Sequence, residues 1–277
     1  MNMTQINIRR SLIVLVLGLL AGGCNNNPVI PNETQIVLRG YLYAGQPVQN
    51  IQLTSSISIV STDTVDPPIS NASVVLTKGG TSYTLTANPA QPGFYHYPGN
   101  NLSVATGDDF TIQVDYDGQR VTAETIVPTQ PQQVMLSTNT VRFQQDTVET
   151  RFGRRLSIVG LDTAVVTWSN PNADYFYVVI ESIDSTRQLL RNDSLFARRF
   201  VSNPSNEASY TINNNSILYT GKQVLRLYHV NKEYADLYLS RQQDTYSLNE
   251  PLSNVHNGLG IFSAFASDSL YFSVVLE

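Results

Sequence analysis

Cysteine and charged side chains are scarce in this chain of 277 residues. It has one cysteine, which excludes an intrachain disulfide framework and a zinc cluster built from cysteines. Only 14% of its residues are charged, whereas about 25% is usual for a soluble domain. The formal net charge is −5 and the isoelectric point is near 5.2. This balance argues against a nucleic-acid-binding protein, which needs a basic face.

Familiar catalytic and nucleotide-binding motifs are also missing from the sequence. It contains no HExxH, GxSxG, GxGxxG or GxxxxGK[ST] pattern. Its three histidines, His96, His229 and His256, have no second histidine or cysteine at the spacing of metal ligands. We expect His96 to be a packed or edge residue of a strand. The sequence therefore predicts no enzyme activity, no cofactor and no metal site.

One acidic segment leaves an alternative open. Asp115-x-Asp117-Gly118 has the beginning of a calcium-binding loop, but the rest of an EF-hand pattern, notably the late glutamate, does not follow. We favour turn formation as the role of Asp115 and Asp117, and of the neighbouring Asp108-Asp109. A loop calcium site is the alternative.

Polar side chains without charge make up about a third of the chain. Serine, threonine, asparagine and glutamine contribute 26, 24, 24 and 17 residues, or 91 of 277. A surface of hydroxyls and amides, together with 15 tyrosines, suits carbohydrate recognition. Tyrosines at strand spacing equally fit a core or its rim, which is the interpretation we favour.

Arginine strongly outnumbers lysine, by 14 to three, and concentrates in two stretches. Arginine binds carboxylates and phosphates through two parallel hydrogen bonds. An arginine-rich face would bind acidic glycans, lipid headgroups or a protein. Pairing with Asp and Glu at the surface is the simpler expectation. The two stretches contain Arg142, Arg151, Arg154 and Arg155, and then Arg187, Arg191, Arg198 and Arg199.

The N-terminus has the features of an exported lipoprotein. Arg9-Arg10 precedes an apolar run, Ser11 to Ala21, whose eleven residues would span about 16 Å as a helix. That is too short for a hydrocarbon core of roughly 30 Å and is typical of a secretory signal. The run ends in Leu20-Ala21-Gly22-Gly23-Cys24, which resembles a bacterial lipobox, although Leu20 stands four residues before the cysteine instead of three.

The lipobox resemblance predicts three features of the mature protein. Residues 1–23 are a lipoprotein signal peptide, Cys24 is the site of lipid attachment, and residues 24–35 are a flexible tether because they are polar and contain two prolines. An ordinary secretory signal with a chance cysteine is the alternative. Asn25 in place of aspartate is similar to the sorting signal of outer-membrane lipoproteins. The choice of leaflet, periplasmic or cell-surface, stays open.

The first half of the mature chain has the pattern of a β-sandwich. Phe110, Ile112, Val114 and Tyr116 alternate with polar residues, which is the period of a half-buried strand. Asp117-Gly118 and Gly79-Gly80 favour the tight turns of β-hairpins. We predict strands at Ile36–Tyr43, Ala72–Lys78, Ser82–Ala87, Gly93–Tyr97, Phe110–Tyr116 and Gln119–Val127, which make residues 36–129 a β-sandwich.

The sequence of the second half predicts another β domain with a less regular pattern. Pro128 to Gln133 has the composition of a linker, so residues 134–277 form the second unit. Strands at Ala164–Trp168 and Tyr175–Ser182 resemble the start of a fibronectin type III sandwich with Trp168 in its core. About 60 further residues, Thr186 to Tyr246, are too long for a small sandwich. Within them Asn231 caps a predicted helix, Lys232–Gln243, and Ser269–Leu276 is the predicted closing strand.

A series of short motifs resembles the lipoprotein family of bacteroidete type called domain of unknown function 4249. The motifs are Pro68–Val74, Pro92–Tyr95, Gly107–Phe110, Pro128, Glu250-Pro251, Asn254 and Asn257–Phe262. The resemblance implies an outer-membrane lipoprotein whose first domain is Ig-like or carboxypeptidase-regulatory-like. It also implies genes for TonB-dependent transporters nearby, and it carries over no catalytic residue. Within the last motif, Gly258 and Gly260 fit either a buried turn, which we favour, or a surface loop for a partner.

These observations lead to a mainly β protein with two sandwich domains, Ig-like and fibronectin III-like, and a short helix in the second. The function that we expect is a palmitate-bearing lipoprotein of the outer membrane, a non-enzymatic accessory of a TonB-dependent transporter barrel in nutrient uptake. The first alternative is a self-standing surface module for glycans, and a peptide ligand is also open. A hydrolase acting on exported polymers is the least supported hypothesis.

Overall fold

A computed structural model describes residues 34–57, 65–150, 153–190, 199–240 and 253–277. The predicted signal peptide, Cys24 and the tether up to Glu33 lie outside the described residues. Gln35–Glu277 form one compact unit. Its first seven strands are β1 (Ile36–Tyr43), β2 (Ile51–Ser55), β3 (Ser73–Lys78), β4 (Thr81–Ala87), β5 (Phe94–His96), β6 (Asp109–Tyr116) and β7 (Gln119–Ile126).

Ten more strands and one helix follow in the described residues. The strands are β8 (Gln132–Leu136), β9 (Thr140–Thr150), β10 (Gly153–Gly160), β11 (Ala164–Ser169), β12 (Tyr175–Ser182), β13 (Arg199–Val201), β14 (Ser209–Ile212), β15 (Gly221–Val230), β16 (Val255–His256) and β17 (Leu259–Leu276). The helix, α1, comprises Lys232–Ser240. The expectation of a mainly β protein with a short helix is confirmed.

The first seven strands enclose a sandwich core, as the alternating sequence pattern predicts. Phe110, Ile112 and Val114 on β6 are fully buried, whereas Thr111 and Gln113 between them are half-buried. Both predicted hairpin turns have positive φ at their two central residues, 49° and 76° at Asp117-Gly118 and 52° and 81° at Gly79-Gly80. Positive φ at both positions is the backbone of the type I′ turn, which matches the twist of the strands that it joins.

The second half forms two facing sheets around Trp168. One carries β13, β12, β15 and β17 in that order, with β9 paired to β17 and β10 to β9, and the other has the order β14, β11, β8. Trp168 is 6% exposed and its ring lies 5.5 Å from that of Phe176. The predicted core role of Trp168 is confirmed.

Strand β17 belongs to both halves. Leu259 to Phe265 pair in parallel with β1, and Phe265 to Val274 pair antiparallel with β15. Phe262 and Ala264 complete the core of the first sandwich, while Phe272 and Val274 lie in the core of the second. The predicted closing strand, Ser269–Leu276, is thus the second part of an 18-residue strand.

The two glycines at the start of β17 have a structural role, as we favoured. Gly260 has φ of +112°, and a Cβ there would lie 1.9 Å from the backbone oxygen of Leu38. A Cβ on Gly258 would lie 2.9 Å from the oxygen of Ile36. Both positions therefore require glycine so that β17 can approach β1 closely.

The segment predicted as a linker is packed against the second half. Pro128 and Pro131 are buried, and the backbone oxygen of Thr129 lies 2.7 Å from Nδ1 of His229. Strand β8 already begins at Gln132, inside the predicted linker. The domain boundaries at residues 129 and 134 stay predictions. Strand β17 contributes residues to the cores on both sides of them.

The helix forms at the predicted place. It begins at Lys232, directly after Asn231, and the residues 241–243 of the predicted last turn lie outside the described residues. The side-chain amide of Asn231 donates to the hydroxyl of Thr125 and to the backbone oxygen of Ile126, at 2.8 and 2.9 Å. These two hydrogen bonds join the start of α1 to the end of β7.

Candidate functional site

A cavity of about 330 Å³ opens on the outer face of the first sandwich. It lies where β5 runs between β2 and β4. Its lining consists of four amide side chains and three residues of β5: Gln49, Asn50, Asn88, Gln91, Phe94, Tyr95 and His96. The volume is within the range of roughly 300–1,000 Å³ that is usual for small-molecule sites.

Strand alternation decides which residues of β5 face the cavity. Tyr95 is 1% exposed and belongs to the core, so its neighbours Phe94 and His96 point to the opposite face. Both are half-buried. The predicted placement of His96 in a strand, on the same face as Phe94, is confirmed.

The turn that carries Asn88 and Gln91 is held by its own hydrogen bonds. The side-chain oxygen of Asn88 accepts from the backbone nitrogen of Ala90 at 3.0 Å. Backbone bonds of 3.1 Å link Gln91 to Asn88 and Phe94 to Gln91. Gly93 closes the turn with φ of +82°, and a Cβ there would lie 2.8 Å from the oxygen of Leu53. The amides of this turn are therefore held in place before any ligand arrives.

The hydroxyl of Tyr95 fixes the floor beneath the cavity. It donates to the backbone oxygen of Ile69 and accepts from the backbone nitrogen of Ala72, both at 3.0 Å. Burial raises the pKa of Tyr95 above its usual value of 10.0, because the ionised form loses its hydration. The neutral hydroxyl keeps both bonds over the physiological pH range.

His96, a residue of the cavity lining, has one unsatisfied ring nitrogen. Its Nδ1 is buried and has no hydrogen-bond partner among the residues that the structure describes. Buried polar atoms in native proteins nearly always have a partner. Because Nδ1 has almost no exposed surface, it is an unpaired atom of the fold beside the cavity and not a contact that the cavity offers to a ligand.

The other two histidines lie elsewhere. His229 stacks on Phe176, with ring centroids 4.6 Å apart, and its Nδ1 donates to the oxygen of Thr129, since a carbonyl can only accept. His256 is exposed in the short strand β16 and pairs with Thr122 of β7. The three histidines thus occupy three separate environments, as their sequence spacing indicates.

The acidic residues that we considered for calcium take part in turns and ion pairs. Asp115 accepts from Nε of Arg120 at 2.7 Å and from Gln113 at 2.6 Å, which lowers the pKa of Asp115. Asp117 occupies the hairpin turn described above. Asp108 accepts from the backbone nitrogen of Ala105 and from Lys78, each at 2.6 Å. In the described part of the chain, no three His, Cys, Asp or Glu residues form a group that could hold a metal ion.

The arginines with described side chains are mostly paired. Arg142 binds both oxygens of Asp162, at 2.8 and 2.9 Å, and the pKa of that carboxyl is lowered by this contact. Arg187 lies 5.0 Å from the centre of the Tyr219 ring. These contacts support the expectation of a paired surface. Arg191 and Arg198, and the side chains of Arg151, Arg154 and Arg155, lie outside what the structure describes.

Tyrosines gather where the two halves meet. Phe265 lies at the centre of an aromatic cluster on β1, β12, β15, β17 and α1, which consists of Tyr41, Tyr43, Tyr175, Tyr177, Tyr228, Tyr234 and Phe265. Burial and the neighbouring tyrosines raise the pKa of Tyr43 to about 12 and raise the pKa of Tyr177 as well. This cluster supports the interpretation of the tyrosines as core and rim residues.

Sequence reasoning missed the cavity because its residues are dispersed. Gln49-Asn50 and Asn88 are about 40 positions apart, and only the pairing of β5 with β2 and β4 brings them together. Their common signal is the abundance of amide side chains just outside predicted strands. Cys24, the one site residue that the sequence predicts, lies outside the described residues.

Comparisons with known proteins give a family and distant structural likenesses. No curated protein matches the chain. The FN1–FN3 domains of chicken CNTN1 share 10% identity at a TM-score of 0.26, covering 85% of this chain and 66% of that chain. Domains A168–A170 of titin share 12% identity at a TM-score of 0.21, covering 87% and 66%. The chain thus spans just under two thirds of either structure.

In the described residues, no helix is both long and apolar enough to cross a membrane. The model of a family described as "Domain of unknown function (DUF4249)" matches residues 26–270. This match covers most of the chain and includes every segment whose motifs resembled the family. The chain therefore belongs to the DUF4249 family.

Proposed function

We propose that this protein is a lipid-anchored, non-enzymatic lipoprotein of the outer membrane that acts as an accessory of a TonB-dependent transporter in nutrient uptake. The observation that carries the proposal is the position of the folded part relative to the lipobox. The compact unit begins at Gln35, eleven residues after Cys24. The predicted tether therefore ends where the folded unit begins.

The tether length limits where the folded unit can act. Eleven residues span at most roughly 40 Å when fully extended. A unit tethered in this way stays close to the membrane surface, where the loops of a barrel transporter also lie. Each buried acyl CH₂ contributes about 0.8 kcal/mol, so two or three acyl chains anchor a protein stably.

The roles of the titratable side chains support binding over catalysis. Asp115, Asp108 and Asp162 hold turns or arginines, and His229 holds the segment before β8. Each of these groups already has a structural partner. The polar cavity on β5, by contrast, is lined by four amides beside Phe94, Tyr95 and His96, and amides recognise ligands without reacting with them.

Affinity purification from native membranes tests the proposed partner. The full chain with a C-terminal tag is expressed at its natural level, solubilised in a mild detergent, and its companions are identified by mass spectrometry. The proposal predicts recovery of a TonB-dependent transporter barrel in amounts close to those of the tagged protein. A Cys24→Ala variant serves as the control and should recover much less of it.

Two results would count against the proposal. Recovery of unrelated proteins alone would reject a transporter partner. Equal recovery of the barrel by wild type and by a Cys24→Ala variant that no longer fractionates with membranes would show that the anchor is unnecessary for the association.

A further inference from the structure

The cavity on β5 has a chemistry that selects one class of ligand. Four of its lining residues carry amides. An amide has two donors and an acceptor oxygen, and the oxygens of Asn88 and Gln91 already accept one hydrogen bond each within their turn. No Asp, Glu, Lys or Arg occurs among the described residues of the lining. A site of this composition favours a neutral ligand that both donates and accepts hydrogen bonds, and it provides no counter-charge for an ion.

Phe94 adds an apolar surface to this polar lining. It lies on the same face of β5 as His96, with the two side chains one strand repeat apart, and both are half-buried. A ring beside a row of amides is complementary to a molecule that has C–H groups on one face and hydroxyls around its edge. Sugar rings have this distribution of groups.

The exposed amides form the rim of the cavity, and the half-buried residues form its floor. Gln49, Asn50 and Gln91 are exposed, whereas Asn88, Phe94 and His96 are half-buried. A bound ring would therefore rest against Phe94 at the floor, with the exposed amides around its edge.

A peptide fits this place less well. Extended peptides usually bind by pairing with the free edge of a sheet. Strand β5 has no free edge here, because Ile51 of β2 pairs with Tyr95 on one side and Ala87 of β4 pairs with it on the other. The site can therefore offer side chains to a ligand, but not a row of unpaired backbone groups.

We propose that the cavity lined by Gln49, Asn50, Asn88, Gln91, Phe94 and His96 binds a neutral saccharide. The amides bind its hydroxyls, and Phe94 packs on the face of a sugar ring. This inference does not depend on the proposed transporter partner, since the purified protein alone would bind the sugar.

Saturation-transfer difference NMR tests this proposal on the full chain. The protein is kept in lauryldimethylamine oxide, because detergents with a glucoside or maltoside headgroup would compete for the site. The probes are glucose, galactose, mannose, xylose, maltose and cellobiose, with glucuronate and an end-capped trialanine as charged and peptide comparisons. We expect at least one neutral sugar to receive saturation, and we expect glucuronate and trialanine to receive none.

Three variants assign the binding to the cavity. Gln49→Ala and Gln91→Ala should each raise the dissociation constant of the bound sugar roughly three- to tenfold, as expected for the loss of a hydrogen bond. Asn172→Ala, an exposed amide in the turn before β12, is the matched control and should leave it unchanged. The melting midpoints of Gln49→Ala and Gln91→Ala without sugar should stay close to that of the wild type, because both side chains are exposed.

Each opposite result overturns the proposal. These results are no saturation of any neutral sugar, equal affinity of wild type and both cavity variants, or preferential binding of glucuronate or trialanine. A failure to recover a transporter in the purification experiment would leave the sugar measurement valid, so the two proposals fail independently.

Discussion

Phe265 stacks on Tyr43 with their ring centroids 5.0 Å apart and their planes at 21°. The two residues are also direct neighbours in the parallel pairing of β17 with β1. On its other side Phe265 pairs with Val230 of β15. This one residue therefore lies where β17 passes from the first sandwich to the second, and its ring is in contact with aromatic side chains from both.

Replacement of Phe265 should destabilise the whole compact unit. Phe265 is 2% exposed, and truncation of a buried phenylalanine costs about 3–5 kcal/mol. We expect Phe265→Ala to lower the free energy of unfolding by that amount in urea titrations. Tyr271→Ala is the control on the same strand. Tyr271 is 65% exposed, so its loss should change stability by at most about 0.5 kcal/mol. Equal effects of the two substitutions would contradict the central position of Phe265.

The first sandwich should need β16 and the first part of β17 in order to fold. Val255, Phe262 and Ala264 lie in the core formed by β1 to β7, although they follow it by more than 120 residues. We expect a fragment of residues 35–129 to lack the dispersed amide resonances of a folded protein in ¹H–¹⁵N spectra. Fusion of residues 253–266 through a flexible linker should restore them. A fully dispersed spectrum of residues 35–129 alone would show that the core closes without β17.

Gly260 should tolerate no side chain. A Cβ at this position would meet the backbone oxygen of Leu38 at 1.9 Å, and φ is +112°. We expect Gly260→Ala to cost roughly 3 kcal/mol or more, since backbone strain and overpacking each contribute about 1–3 kcal/mol. Gly45→Ala is the matched control, because Gly45 also has positive φ, +76°, but has open space around it. Its cost should be only about 1–2 kcal/mol. Chemical denaturation of both variants measures the difference, and equal costs would reject the close approach of β17 to β1.

Alkaline pH should lower the free energy of unfolding because the buried Tyr43 is harder to ionise in the folded protein. Its pKa is about 12 in the folded protein, against the ordinary value of 10.0. Above pH 10 the unfolded chain therefore releases this proton before the folded protein does, so the unfolded state gains relative stability as the pH rises from 10 to 12. We expect stability to fall over this range, and to fall less steeply in Tyr43→Phe. Absorbance titration near 295 nm should show a late ionisation step that the variant lacks. A Tyr43→Phe titration identical to that of the wild type would contradict this assignment.

Local signals predicted much of the fold but not its longest strand. The bounds of β1 and β12 agree with the sequence prediction, and the turns at Gly79-Gly80 and Asp117-Gly118 have the expected backbone. Strand β17 was recognised only from Ser269 onward. Its residues Ile261 to Ala266 are all buried, because this part of the strand is covered on both faces, and a strand buried on both faces loses the alternation that a sequence search detects.

The candidate site was beyond the reach of sequence patterns for a related reason. The alternation around Tyr95 placed His96 in a strand, and this prediction is confirmed. The amides that surround His96 come from the end of one loop and from a separate turn, and no spacing rule connects them. Tertiary pairing of β5 between β2 and β4 creates the cavity, so it appears only when the fold is known.

Metabolic labelling with a palmitate analogue tests the proposed lipid anchor most directly. The full chain is expressed in a bacterium that processes lipoproteins, and its incorporation of label is compared with that of Cys24→Ala, the variant without any cysteine. The account predicts a labelled wild-type protein that fractionates with the outer membrane and an unlabelled variant that does not. Equal labelling of the two proteins, or no label in either, would contradict it.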